Sequence, residues 1–229
     1  MKSDITKRMK IKLIIFDFDG TLGDTRANIV KTMRDTMLEM GLPEADEAAI
    51  AATIGIPLEK GFIQLYPSLS AEGTQRCAAC YREIFEKNRK SLVPGLFPGV
   101  KETLRRLKEE GYTLTIASSR SSKSLNGFLA DMGIAEYISY VLGADSVSKA
   151  KPDPEPVLKT LRELGFRAEE TLVVGDMPVD ILMGRRAGAR TLAVSYGNAS
   201  SEELRKASPD MITDDFASLP SRVVLLGSE

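Results

Sequence analysis

Short apolar runs that stop at charged or hydroxyl residues, alternating with amphipathic helical patterns, constrain this chain more than any other feature. Ile11 to Phe16 (IKLIIF) ends at Asp17-Phe18-Asp19-Gly20. Tyr112 to Ala117, Thr171 to Val174 and Arg190 to Val194 share its β-branched character, and Tyr137 to Leu142 reads as a further strand. Between them the periodicity predicts helices over Val100–Glu110, Ser122–Met132, Glu155–Leu164 and Val179–Ala187, with Gly111 and Gly165 placed as C-terminal caps. This alternation implies right-handed βαβ crossovers. The expected fold is therefore α/β, a Rossmann-like parallel sheet flanked by helices, with ligands bound beyond the carboxyl ends of its strands.

From Asp24 to about Leu92 the pattern changes: no strand is legible, and helical stretches are broken by Gly41-Leu42-Pro43, Gly55-Ile56-Pro57 and Tyr66-Pro67. This reads as a small helical domain (24–92) inserted into a core made of 1–23 and 93–229. Gly23 marks one connection, and Leu92-Val93-Pro94-Gly95-Leu96-Phe97-Pro98-Gly99, with two Pro-Gly pairs, marks the other. Two such linkers would let a lid move over a site. The 229 residues suffice for a core of ordinary size plus one compact insertion.

The chain contains no histidine, so histidine-based triads are excluded and acid/base chemistry falls to carboxylates, lysine, tyrosine or cysteine. Thirty-one basic residues against 32 acidic ones leave a charge of -1, which gives no net pull toward nucleic acid or a membrane surface. A small ligand held by local groups fits better. Cys77 and Cys80 form a C-x-x-C pair, but they fall in a helical run from Ser70 to Lys90 with no second pair to complete four zinc ligands. They read as buried or inert thiols. No apolar run approaches the roughly 20 residues that span a bilayer, and the N-terminal MKSDITKRMK lacks a signal-peptide core, so cytoplasmic residence is expected.

Asp17-Phe18-Asp19-Gly20-Thr21 is the strongest chemical signal, a combination that arises by chance in roughly one window per hundred thousand. Two carboxylates two residues apart at a strand end allow one to attack an electrophile or hold a metal while the other handles a proton. The local alternative is an Asx turn or helix cap. After the strand through Ile116 and Ala117 come Ser118, Ser119, Arg120 and further serines before a helix; these suit a phosphate, or simply a polar loop and N-cap. Lys151 precedes Pro152-Asp153-Pro154-Glu155-Pro156, where three prolines restrict the backbone and could hold a cation toward a phosphoryl oxygen, or only start a helix. Gly175-Asp176-Met177-Pro178-Val179-Asp180 adds two carboxylates beyond another strand, a donor set suited to Mg2+ or, more simply, a cap and a surface acid.

These four segments, in this order, resemble the four motifs of the haloacid dehalogenase superfamily, over nearly the whole core from Ile11 to Asp214. The resemblance implies that Asp17 is a nucleophile, Asp19 a general acid/base, and Thr21 a support for the loop joining them. It further implies that Ser118 and Lys151, with Ser119 beside them, bind the phosphoryl group. Mg2+ would be held by Asp17, the Asp19 backbone carbonyl and Asp176, with Asp180 orienting or supplementing the site. The insertion looks like the helical cap of the phosphoglycolate phosphatase and β-phosphoglucomutase branch.

The expectation is a Mg-dependent phosphatase of a small phosphorylated metabolite, monomer or homodimer. Alternatives are a phosphomutase, a phosphonatase using Lys31 or Lys60 as Schiff base, or a silent binding protein on the same fold. Arg26, at the start of the insertion, is a candidate for a substrate anion. Ser119 and Met177-Pro178 depart from common family patterns.

Overall fold

The computed structural model describes residues 11–88 and 93–228. The N-terminal MKSDITKRMK, the end of the predicted Ser70–Lys90 helix and Leu92 of the linker lie outside them. The chain runs β1 (Leu13–Phe16), β2 (Gly23–Asp24), α1 (Arg26–Glu39), α2 (Glu47–Ala51), α3 (Leu58–Leu65), α4 (Ala71–Asn88) and β3 (Gly95–Leu96). It continues α5 (Val100–Glu109), β4 (Thr113–Ala117), α6 (Ser122–Asp131), β5 (Tyr140–Leu142), α7 (Glu155–Leu164) and β6 (Thr171–Gly175). Last come α8 (Pro178–Arg186), β7 (Arg190–Val194), α9 (Ser201–Lys206), β8 (Met211–Thr213) and α10 (Leu219–Leu226).

Six strands form one parallel sheet in the order β5-β4-β1-β6-β7-β8. All four residues of β1 are buried, as an apolar strand covered on both faces should be. Chain order reverses on either side of β1, whose neighbours are β4 and β6, and such a switch point opens a crevice beyond the carboxyl ends. The register aligns Phe16 with Ile116 and with Val174. The segments that follow these three strands, beginning at Asp17, Ser118 and Asp176, are thereby brought side by side.

Helix positions follow the apolar spacing: α5 buries Val100, Thr103, Leu104 and Leu107, one stripe of a 3.6-residue period. The predicted strand over Tyr137–Leu142 is half as long. Ala135–Tyr137 is a 3-10 turn, and only Tyr140–Leu142 pairs with β4, because the chain leaving α6 must first turn back to the sheet edge. The two linkers also pair with each other, Gly23 opposite Leu96 and Asp24 opposite Gly95, as a short antiparallel ladder that periodicity did not reveal. Strand β8 and helix α10 were likewise not anticipated.

Between β2 and β3 lie α1 to α4, all helical as expected. Their buried side chains, including Val30, Met33, Met37, Phe62, Tyr81 and Phe85, belong to the same apolar cluster as Ile14, Phe16 and Phe128. No helix among the described residues is long and apolar enough to cross a membrane.

Candidate active site

Asp17 follows β1, and its backbone N–H bonds the Val174 carbonyl, so its side chain leaves the sheet at the crevice. Its Oδ1 accepts from Lys151 Nζ at 2.6 Å, while Oδ2 is buried without a hydrogen-bond partner. Lys151 also donates to Asp180 Oδ1 at 2.7 Å, and its side chain is 3% exposed. One buried ammonium thus joins carboxylates that follow β1 and β6.

Asp176 lies just beyond β6. Its Oδ1 accepts from Thr21 Oγ1 at 2.9 Å, and its Oδ2 accepts from the Asn198 backbone N–H at 2.8 Å and Nδ2 at 3.0 Å. Asp180 turns back on α8, its Oδ2 accepting from the Met177 N–H at 3.0 Å, which fixes the helix start and the carboxylate together. Gly20 closes the loop after β1 at φ +87°, and a Cβ there would lie 2.1 Å from Asp176 Oδ2; only glycine fits.

Carboxylate oxygens of Asp17, Asp176 and Asp180 lie within 4.8 Å of one another, the group with metal-ligand character found among the described residues. Burial pushes the Asp17 carboxyl well above the ordinary range against the pull of Lys151, and neighbouring Asp180 and Asp176 push the same way. Burial and Asp180 push Asp176 up to about 7. Lys151 supplies one positive charge for this set, so a hard cation would complete the charge balance. The partnerless Asp17 Oδ2 offers it an oxygen. The Asp19 carbonyl, expected as a further donor, faces Asn198 Nδ2 at 3.5 Å.

The Asp19 carboxylate points elsewhere. Thr25 Oγ1 donates to its Oδ1 at 2.6 Å, and Arg120 Nε donates to both oxygens at 2.7 Å. Ser118, buried after β4, accepts from the Arg120 N–H at 3.3 Å, and its own N–H bonds the Leu142 carbonyl. Ser119 Oγ donates to the Gly55 carbonyl at 2.7 Å, and a Cβ on Gly55 would come within 3.1 Å of Met177 Cγ. The turn between α2 and α3 therefore rests directly on the crevice.

Arg26 is exposed and faces Glu47 at 3.9 Å. Lys31 and Lys60 are exposed, Lys31 paired with Asp35, so neither has the desolvated setting of a Schiff-base lysine. Cys77 is buried and Cys80 half-buried, both are free, and burial raises both thiols. The pairings of Thr25 and Arg120 with Asp19, and of Asn198 with Asp176, were not foreseen. Arg120 stood in the serine loop already singled out, whereas Asn198 carried no signal of its own.

Fold and site define a doubly wound α/β protein with a buried carboxylate–lysine cluster at the switch point of its sheet. The family model for haloacid dehalogenase-like hydrolases matches residues 14–194, and the chain belongs to that family. It is similar to the protein named "Probable phosphatase IndB" of Dickeya dadantii, 40% identical over 90% of each chain. It is also similar to the phosphoglycolate phosphatase of Photorhabdus laumondii, 33% identical over 94% of this chain and 93% of that one. A solved haloacid dehalogenase-like family hydrolase from Streptococcus pneumoniae superposes with a TM-score of 0.83 at 25% identity, covering 93% of this chain and 98% of the other.

Proposed function

We propose that the protein is a phosphatase that hydrolyses a small phosphate monoester through a phosphoryl group carried on Asp17. The observation that carries this reading is the asymmetry of the Asp17 carboxylate: one oxygen is fixed by Lys151, the other is buried and partnerless. An oxygen so placed has no hydrogen bond to give up before it meets an electrophile, and Lys151 holds the carboxylate in position beside it.

In the first step an Asp17 oxygen forms a bond to phosphorus as the ester P–O bond breaks, and Asp19 gives a proton to the departing oxygen. In the second, Asp19 takes a proton from water as that water attacks phosphorus and the bond to Asp17 breaks. Lys151 and the Ser118 hydroxyl would face the equatorial oxygens, with Ser119 and Thr21 holding the loops around them. Asp17, the Asp19 carbonyl and Asp176 would hold Mg2+, with Asp180 supporting, and the cation would supply charge neutralisation at the phosphoryl group. Residues 24–92 would act as a cap that excludes water while the ester bond breaks, since their α2–α3 turn rests on Ser119 and Met177.

The relatives' names favour a phosphoglycolate-like substrate class, and one relative, from Halalkalibacterium halodurans, is a pyrophosphatase. The test is phosphate release from phosphoglycolate, hexose phosphates, pyrophosphate and p-nitrophenyl phosphate, with Mg2+ or with EDTA. The wild type is expected to turn over in Mg2+ only. Asp17→Asn is expected to lose at least about 1,000-fold in kcat, since it removes the charged nucleophile. Full activity in Asp17→Asn would overturn the mechanism, whereas a wild type that isomerises a hexose phosphate without releasing phosphate would be a mutase.

A further inference from the structure

Arg120 is the charged group at the crevice that the hydrolytic scheme leaves unused. Its side chain is 11% exposed, and its partner Asp19 is 9% exposed. A guanidinium stripped of water needs an anion, and in this structure Asp19 is that anion. The bonds to Asp19 run through Nε, so the terminal pair of nitrogens, the fork that matches a carboxylate or phosphate edge, is not spent on it. NH1 approaches Ser124 Oγ at 3.5 Å, the limit of a hydrogen bond.

Two rings hold the head group in place. The guanidinium carbon lies 5.2 Å from the centroid of Phe85 and 5.0 Å from that of Phe128. Phe85 comes from α4 in the inserted helices and Phe128 from α6 in the core, so both parts of the molecule grip the same cation.

Paired in this way, both Asp19 oxygens are engaged by Arg120 instead of being free to meet a leaving group. The carboxylate accepts from the guanidinium through both oxygens and from the Thr25 hydroxyl through one of them. Freeing it requires another anion to take the guanidinium.

We infer that Arg120 is a specificity residue that receives a second anionic group of the substrate, a carboxylate or phosphate a few bonds from the scissile ester, and thereby releases Asp19; the role rests on the phosphatase reading above. No bond is made or broken at Arg120. One ion pair is exchanged for another, the guanidinium keeps its protons, and the Asp19 oxygens are freed to face the leaving group. A monoester without a second anion leaves the resting pair intact and reacts slowly.

The test compares phosphoglycolate with ethyl phosphate, the same skeleton without the carboxylate, in wild type, Arg120→Gln and Arg120→Lys. In parallel, calorimetry measures Kd for their non-hydrolysable counterparts, 3-phosphonopropionate and propylphosphonate. The wild type is expected to favour the carboxylated member of each pair by about 10- to 100-fold, the size of a charged hydrogen-bonded contact. Arg120→Gln is expected to collapse both ratios toward one, with Arg120→Lys restoring part of the preference. Equal loss on both members would mark Arg120 as a structural ion pair, and a wild type that binds both phosphonates alike would overturn the inference without any variant. If no ester is hydrolysed, p-nitrophenyl phosphate included, the phosphatase reading fails, and the Kd ratio still decides what Arg120 recognises.

Discussion

Asn198 completes the carboxylate cluster from far along the chain. Two of its N–H groups converge on one oxygen of Asp176, leaving that carboxylate a single orientation relative to Asp17. Asn198→Ala keeps the backbone bond and removes the side-chain one. The expected result is a Mg2+ activation constant raised by about tenfold, typical of losing a partner behind a metal ligand, with kcat at saturating Mg2+ little changed. An unaltered activation constant would show that the Asn198 amide does not orient the site. The carboxylates and lysine themselves were legible in the sequence because each adjoins a strand end or a proline-rigid loop. Their partners were not, because Arg120 meets Asp19 across 101 residues and Asn198 meets Asp176 across 22, separations that only strand order and register close. Arg26 attracted notice by its position at the start of the insertion, and in the structure it is exposed with Glu47 3.9 Å away.

At the level of elements, the turn after β1 carries the tightest constraint. Gly20 combines a positive φ with an approach to Asp176 that leaves no space for a methyl group. Gly20→Ala is expected to cost at least about 1–2 kcal/mol from the backbone alone, with the steric contact adding to it. Urea unfolding would read this as a lower midpoint at unchanged slope, and activity is expected to fall further than stability because Asp176 must move aside. A midpoint equal to wild type would mean that the loop can relax elsewhere. The helices α5, α6, α7 and α8 and the strands β1, β4, β6 and β7 were legible, since a buried parallel strand is a continuous apolar run and an amphipathic helix has a clear period. The β2–β3 ladder was not: two residues paired with two have no periodicity, and their pairing is set by where the helical insertion returns to the core. Strand β8 is equally short, so its three residues carry too little pattern to separate it from a loop.

For the whole molecule, the site is a concentration of negative charge placed inside an otherwise balanced chain. Net charge is -1 over 229 residues, yet three carboxylates are buried together at the crevice and one lysine pairs with two of them. Folding must therefore bury charge that Lys151 compensates only in part, and a cation bound to the folded state alone offsets the remainder. At a concentration about 100 times its Kd such an ion adds about 2.7 kcal/mol, roughly 5–10 °C in Tm for a chain of this size. Mg2+ is accordingly expected to raise the Tm of the wild type relative to EDTA by that amount. Asp17→Asn separates the cost of the site from its use, because the altered atom can take the place of Oδ2, which faces no donor and has carboxylate oxygens nearby. In EDTA this variant is expected to melt no lower than wild type, since one unpaired negative oxygen becomes a donor to its neighbours. In Mg2+ its Tm shift is expected to fall to less than half, since a ligand oxygen is lost. A full Mg2+ shift in Asp17→Asn would place the cation elsewhere on the molecule, and a metal-free variant several degrees less stable than wild type would show that Lys151 already compensates the cluster.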